Sequence, residues 1–368
     1  MTLPTPDPVS TSPASPAVGP PASARVRAAL VGAGRIGSHH ARALAREVPG
    51  ADLTTVVDPR VEAAQALAEE LGARAVPTIE EALADDTLDA VLITTPAALH
   101  TSAITTAAKA GRHVFTEKPI TTTLEDAHTV IDACRDADVH LQVGFNRRFA
   151  PGFVAARKAV EDGRVGRVRL MRSVTRDPGP FTADPLSTPR GTIFLETLIH
   201  DFDTLLWLNP GAKVLSVHAH ADALVRPDAK ADGFLDTAVV TIVFDNGATA
   251  VAEACFEASY GYDVRGEVLG DVGMVTMGCG RTSDMTYFGA QGAAWDTSRA
   301  DTDLLHTAYV AELDAFVRTV RGEDVAASGA VVGGLPGPEA GLASLRVAHA
   351  AITSASQNRT VTLEETSA

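Results

Sequence analysis

The chain of 368 residues is long enough for two domains with substantial cores. Its 31 basic and 46 acidic side chains leave a net charge of −15 with no basic cluster, which argues against nucleic acid or an anionic membrane as a partner. Cys134, Cys255 and Cys279 are too few and too scattered for a disulfide framework or a zinc site, which fits a reducing cytoplasm, and no apolar run approaches the roughly 20 residues that span a bilayer.

Residues 1–24, rich in Pro, Ser, Thr and Ala, lack the basic and apolar regions of a signal peptide and read as a disordered tail. From 25 to 146 apolar runs alternate with helical patterns. Strands are predicted at 27–31, 53–57, 90–94, 113–116 and 140–144, and helices at 60–71, 98–110 and 124–137, the alternation of a doubly wound parallel sheet. Gly32-Ala33-Gly34-Arg35-Ile36-Gly37 joins the first strand to a helix with Ile36, His40, Leu44 and Val48 on one face. Gly32 permits the tight turn, Gly34 admits a pyrophosphate close to the backbone, and Gly37 lets helix and strand pack closely. Free N–H groups at the helix start face the phosphates, Arg35 and Ile36 among them. Asp58 ends the second strand about 20 residues on, where an acidic residue accepts the adenosine ribose hydroxyls and repels a 2′-phosphate. That favours NAD over NADP, although Arg60 offers a guanidinium two residues later. A turn before Pro59 is the other use of Asp58.

After Arg147 the runs lengthen and alternate, at 167–174, 213–221, 237–244, 248–257, 262–270 and 273–277, as in an open, mainly antiparallel sheet. Residues 147–368 therefore read as a second, α+β domain with few helices, about 194–208, 304–321 and 338–355, the last able to pack on either domain. In the first of these, Phe194, Leu195, Leu198, Ile199, Phe202, Leu205 and Leu206 form a buried stripe, with Asp203 near the Glu196 and His200 face and Asp201 turned away. Glu196 and His200, four apart, are neighbours on one face of a regular helix, and a carboxylate there raises the basicity of the imidazole and orients it. A simple surface contact is the alternative.

Together these segments resemble the glucose–fructose oxidoreductase/inositol dehydrogenase family, and within it the inositol 2-dehydrogenase branch, from about Val26 to Leu363. The carriers are the glycine fingerprint, Thr94-Thr95-Pro96 with His100, Glu117-Lys118-Pro119, Gly144-Phe145-Asn146-Arg147-Arg148-Phe149, Ser173-Val174-Thr175-Arg176-Asp177-Pro178, Ile199-His200-Asp201-Phe202-Asp203 and Tyr260-Gly261-Tyr262-Asp263. The resemblance implies a Rossmann domain and an NAD-dependent hydride transfer from a ring carbon bearing a hydroxyl. Lys118 would hydrogen-bond the reacting oxygen, His200 would take its proton and Glu196 would orient the pair. Beside an oxidised nicotinamide the ammonium of Lys118 would be disfavoured. Thr95, Pro96, His100, Glu117 and Lys118 would lie along the cofactor. Asn146, Arg147, Asp177 and Tyr262 would hold a polyhydroxylated ring. Asp177 as a turn residue, Tyr262 as a strand aromatic and Arg147 as an ion-pair residue remain the alternatives.

The chain departs from the family in carrying Glu196 where Asp is usual and Thr175 with Asp177 where His and Asn occur. The aromatic residue expected before the 304–321 helix is not matched cleanly, Trp295 lying nearby. The resemblance implies a cytoplasmic homotetramer without a metal, oxidising myo-inositol to 2-keto-inositol. Its rivals are the same chemistry on scyllo-inositol, an anhydrosugar or a glycoside, an NAD-using glycosidase, and a nucleotide-sensing regulator without catalysis.

Overall fold

In the computed structural model the described residues are 25–367, apart from 181–183, 185–187, 279, 282, 284, 328 and 330. The expected tail at 1–24 lies outside them. The first sheet is laid down by β1 (Val26–Val31), α1 (Arg35–Glu47), β2 (Ala51–Val57), α2 (Val61–Leu71), β3 (Arg74–Val76), α3 (Ile79–Leu83), β4 (Ala90–Ile93), α4 (His100–Lys109), β5 (His113–Thr116), α5 (Leu124–Asp136) and β6 (Leu141–Val143). Its strands run in the order β3-β2-β1-β4-β5-β6, all parallel. β1, β4 and β6 are buried along nearly their whole length because helices cover both faces of such a sheet. The order in which strands are added reverses between β1 and β4, so a crevice opens between their carboxyl ends. β3 escaped the pattern reading because three residues are too few for a period.

The glycines hold that crevice open. Gly32 has φ +105°, and a Cβ there would sit 2.8 Å from the Thr94 carbonyl oxygen. A Cβ on Gly37 would lie 1.8 Å from the Gly32 oxygen, whereas one on Gly34 would project into open space within the cleft. Gly37→Ala gains about 1 kcal/mol of helix propensity but forces α1 off the β1 turn, a strain of about 1–3 kcal/mol or more. We expect a net loss of stability and weaker nucleotide binding, read from urea unfolding with and without NAD.

The second half begins with α6 (Pro151–Glu161), a helix not foreseen because Pro151-Gly152 reads as a turn. Pro151 instead occupies the first helical turn, where a missing N–H costs nothing. There follow β7 (Val168–Arg176), a π-helical turn (Ile193–Thr197), α7 (Leu198–Trp207), β8 (Val214–Asp222), β9 (Thr237–Phe244), β10 (Thr249–Cys255), β11 (Asp263–Gly270), β12 (Met274–Met277), the hairpin strands β13 (Tyr287–Gly289) and β14 (Gly292–Ala294), α8 (Asp301–Leu304), α9 (His306–Val320), α10 (Pro338–Gln357) and β15 (Val361–Thr362). The second sheet is ordered β12-β11-β7-β10-β9-β8-β15, antiparallel except where β10 meets β7. One face is packed: along β9, Ala238, Val240, Ile242 and Phe244 are buried while Val239 is exposed.

Two late helices return to the first half. Leu313, Phe316, Val317 and Val320 of α9 pack in one cluster with Leu30, Leu44, Val48 and Phe115. α10 runs against α5, α7 and β8, and His349 on it meets the Thr122 carbonyl.

Candidate active site

A cleft of about 780 Å³ follows the carboxyl ends of β1, β2 and β4, lined among others by Gly32, Gly34, Arg35, Ile36, Asp58, Arg60, Thr95 and Pro96. Asp58 is nearly buried. Its carboxylate accepts the Ala33 N–H at 2.8 Å, the Arg60 N–H at 2.9 Å and the Arg60 guanidinium at 3.1 Å. Burial raises its pKa, but the Arg60 and backbone donors outweigh burial and hold it below the usual carboxylate range. Gly34 offers the space and Asp58 the acceptor that a dinucleotide requires, so the residues fit NAD.

Arg35, Ile36, Thr95 and Pro96 also line a second cavity, of about 330 Å³, which therefore adjoins the cleft. Around it stand Glu117, Lys118, Asn146, Arg147, Thr175, Asp177, Glu196, His200 and Tyr262, together with Asp301 and Tyr309. Lys118 Nζ donates to the Glu196 carbonyl at 2.8 Å and to its carboxylate at 3.0 Å. Burial opposes the ammonium, yet Glu196 and Glu117 outweigh it and raise the pKa of Lys118. The disfavoured ammonium was expected beside an oxidised nicotinamide; the protein's own carboxylates act in the opposite direction.

The pairing of Glu196 with His200 is likewise corrected. Glu196 sits in the π-helical turn, which changes the angular phase before α7 begins, and its carboxylate goes to Lys118. His200 Nδ1 is buried without a hydrogen-bond partner. Burial, followed by the cations of Lys118 and Arg147, pushes the imidazole well below its ordinary range. These causes favour the neutral ring, which leaves a nitrogen lone pair to accept a hydrogen bond and at the same time weakens the imidazole as a base.

Arg147 borders the pocket but is committed elsewhere. Its guanidinium meets Asp201 at 2.7 Å and also donates to the Thr175 hydroxyl. Asp201 in turn accepts the hydroxyls of Ser173 at 2.5 Å and Thr175 at 2.6 Å. Asp201, expected to turn away, is thus fully buried on the inner face of α7, and Arg148 pairs with Asp203 beside it. Arg147 supports the pocket wall through a buried ion pair, with no free donor demonstrated for a ring.

Asp177 and Tyr262 both line the cavity. Burial raises the pKa of Asp177, and one of its oxygens is buried without a partner. Asn146 also presents an unpartnered buried oxygen. Both are acceptors without donors. The ring nitrogens of His100 meet the Pro119 carbonyl at 2.8 Å and the Thr95 carbonyl at 3.0 Å, since the first turn of α4 directs the ring between the ends of β4 and β5. It braces the backbone that lines both cavities.

Asp301 and Tyr309 were missed. Asp301 accepts Arg35 at 2.7 Å and the Tyr309 hydroxyl at 3.2 Å. Tyr309, inside α9, is an aromatic that lines the pocket, whereas Trp295, before the helix, stacks on Arg281. The acid at the start of a helix was the available signal for Asp301, and nothing in the sequence tied it to Arg35.

A dinucleotide cleft adjoining a polar pocket that holds an ammonium and an imidazole defines a nicotinamide-dependent oxidoreductase of polar alcohols. The comparisons agree: residues 26–145 match the oxidoreductase family with the NAD-binding Rossmann fold, and 153–276 match the GFO/IDH/MocA C-terminal domain. The chain belongs to the glucose–fructose oxidoreductase/inositol dehydrogenase (GFO/IDH/MocA) family, and NAD is its cofactor. It is 36% identical to a scyllo-inositol 2-dehydrogenase (NAD(+)) of Bacillus subtilis, over 81% of this chain and 86% of that one. It is 34% identical to the myo-inositol 2-dehydrogenase of Thermotoga maritima, over 92% and 99%. Among solved structures, the scyllo-inositol dehydrogenase of Lactobacillus casei with bound NAD(H) and scyllo-inositol matches at a TM-score of 0.85 and 27% identity, over 92% and 99%. Among the described residues, no helix is long and apolar enough to cross a membrane.

Proposed function

We propose that the protein oxidises a ring hydroxyl of an inositol, myo-inositol to 2-keto-inositol being the leading reaction. The observation that carries this reading is the meeting of Lys118 and a neutral His200 in a pocket continuous with the cofactor cleft. The turn from Gly32 to Ile36, with Asp58, Thr95 and Pro96, would hold NAD, which supplies a hydride acceptor when bound. A secondary alcohol is a very weak acid, so losing hydride requires removal of its proton in the same step. His200 accepts that proton, a contribution of roughly 10²- to 10⁴-fold. The Lys118 ammonium, held by Glu196, donates to the reacting oxygen and favours the form that carries developing negative charge. Asp177, Tyr262 and Asn146 orient the ring, the unpartnered oxygens of Asp177 and Asn146 accepting its other hydroxyls.

A second substrate, scyllo-inositol, is supported by the 36% identity to the scyllo-inositol 2-dehydrogenase (NAD(+)) of Bacillus subtilis. NADH formation with myo-inositol, scyllo-inositol, glucose and levoglucosan separates these. Activity on an inositol supports the proposal, and the better inositol is the substrate. Activity on glucose or levoglucosan alone would move the enzyme elsewhere in its family, turnover of a glycoside without added NAD would make it a glycosidase, and NAD binding with no turnover a sensor.

The same reading places the enzyme in the cytoplasm, supported by its scattered cysteines, and assembles it as a homotetramer. The exposed Leu170, Val239 and Leu269 on the open face of the second sheet support such an assembly.

A further inference from the structure

Behind Lys118 lies a buried cluster that the proposed reaction does not use. Glu312 on α9 has no solvent exposure, and neither of its carboxylate oxygens has a hydrogen-bond partner. One ligand-type atom each of Glu312, Glu117 and His40 lies within 4.8 Å of the others. Glu117 accepts His40 Nε2 at 2.7 Å and the Lys118 N–H at 3.1 Å, so its carboxylate bridges the α1 histidine and the backbone of the reactive lysine. The titratable groups around the cluster are His39 and His40 on α1, Glu117 and Lys118 after β5, Tyr309 and Glu312 on α9, and Asp301 before it.

Two carboxylates this close in a water-free interior do not both ionise, and one retains a proton. Glu117 has donors to stabilise its charge. Glu312 has none among the described residues. Burial, and then the charge of Glu117, push the Glu312 carboxyl well above the usual range. An uncharged acid there also removes the cost of an unpaired buried anion, because its O–H gains an acceptor.

We propose that Glu312 is a positioning residue that holds a proton: as a neutral carboxylic acid it donates to Glu117 and so fixes the segment carrying Lys118. The donor is supplied from the end of the chain to a loop of the first sheet, and it keeps Glu117 ionised with one orientation. Lys118 Nζ then meets Glu196 and the pocket from a constrained backbone, and a displacement of about 1 Å there is enough to cost on the order of 10²-fold in rate.

The test uses two variants of the full chain, Glu312→Met, which has similar volume and no donor, and Glu312→Gln, which restores an N–H donor. The inference rests on the oxidation proposed above for its kinetic readout alone, measured with whichever polyol is turned over. Infrared difference spectra between wild type and each variant, and metal content, require no activity. At neutral pH the wild type should show the carbonyl stretch of a buried protonated acid, absent in both variants. Glu312→Met should lower kcat about tenfold to a hundredfold with KM for NAD held and folding intact, since an apolar side chain is tolerated at a buried polar site. Glu312→Gln should recover most of kcat. Full kcat in the Met variant, a Gln variant as impaired as Met, or a missing acid band would each overturn the proposal. So would one equivalent of divalent metal in the wild type that both variants lose, because the three residues would then be ligands around an ionised Glu312.

Discussion

Lys118→Met is expected to retain NAD binding and lose turnover, with kcat reduced roughly 10²- to 10⁴-fold. The side chain lines the polar pocket, where Glu196 and Glu117 favour its charged form. Methionine fills a similar volume, and the Glu196 carboxylate it leaves behind is 44% exposed, so water compensates that loss. The fold should therefore survive. Steady-state kinetics with NAD titrated by fluorescence would decide the matter: a rise in KM alone, with kcat preserved, would demote Lys118 to a binding residue.

The largest stability effect should come from Asp201→Ala. Asp201 is fully buried and accepts from Arg147, Ser173 and Thr175, and Arg147 is itself only 3% exposed. Removing the carboxylate strands a guanidinium in the interior, which costs about 3–5 kcal/mol. Urea unfolding should show that loss at an unchanged slope. The double variant Asp201→Leu with Arg147→Met should regain most of it, because the penalty comes from the uncompensated charge. If the single and double variants are equally unstable, the damage is one of packing.

What the sequence made legible is what lies within one local period. The Gly32 to Gly37 turn, the near-continuous apolar strands around it and the alternating β9 are each dictated by neighbours in the chain. Lys118 and His200 were legible through the resemblance of their segments to the family, the lysine standing where a strand ends and the histidine on the polar face of a helix. The geometry of Glu196 was not. The pattern 194–208 reads as one regular helix, and only the packing of α7 against β7 and β10 fits with a π-helical start that redirects a carboxylate from His200 to Lys118. Asp201 was misplaced for a related reason: an aspartate on a helix is assigned to water unless its partner is known, and that partner, Arg147, lies on a different element. Asp301 and Tyr309 reach the pocket from a segment far along the chain, and no local pattern encodes such a meeting.

The return of α9 to the first sheet bears on how the chain is made. Synthesis delivers β1 to β6 early, but the surface formed by Leu44, Val48 and Phe115 is covered only when Leu313 to Val320 arrive. Until then the nucleotide-binding half carries an open apolar face during translation, a state that invites chaperone capture or association between nascent chains. Its maturation thus waits on nearly the whole polypeptide, and a fragment ending near residue 146 would inherit the same bare surface permanently.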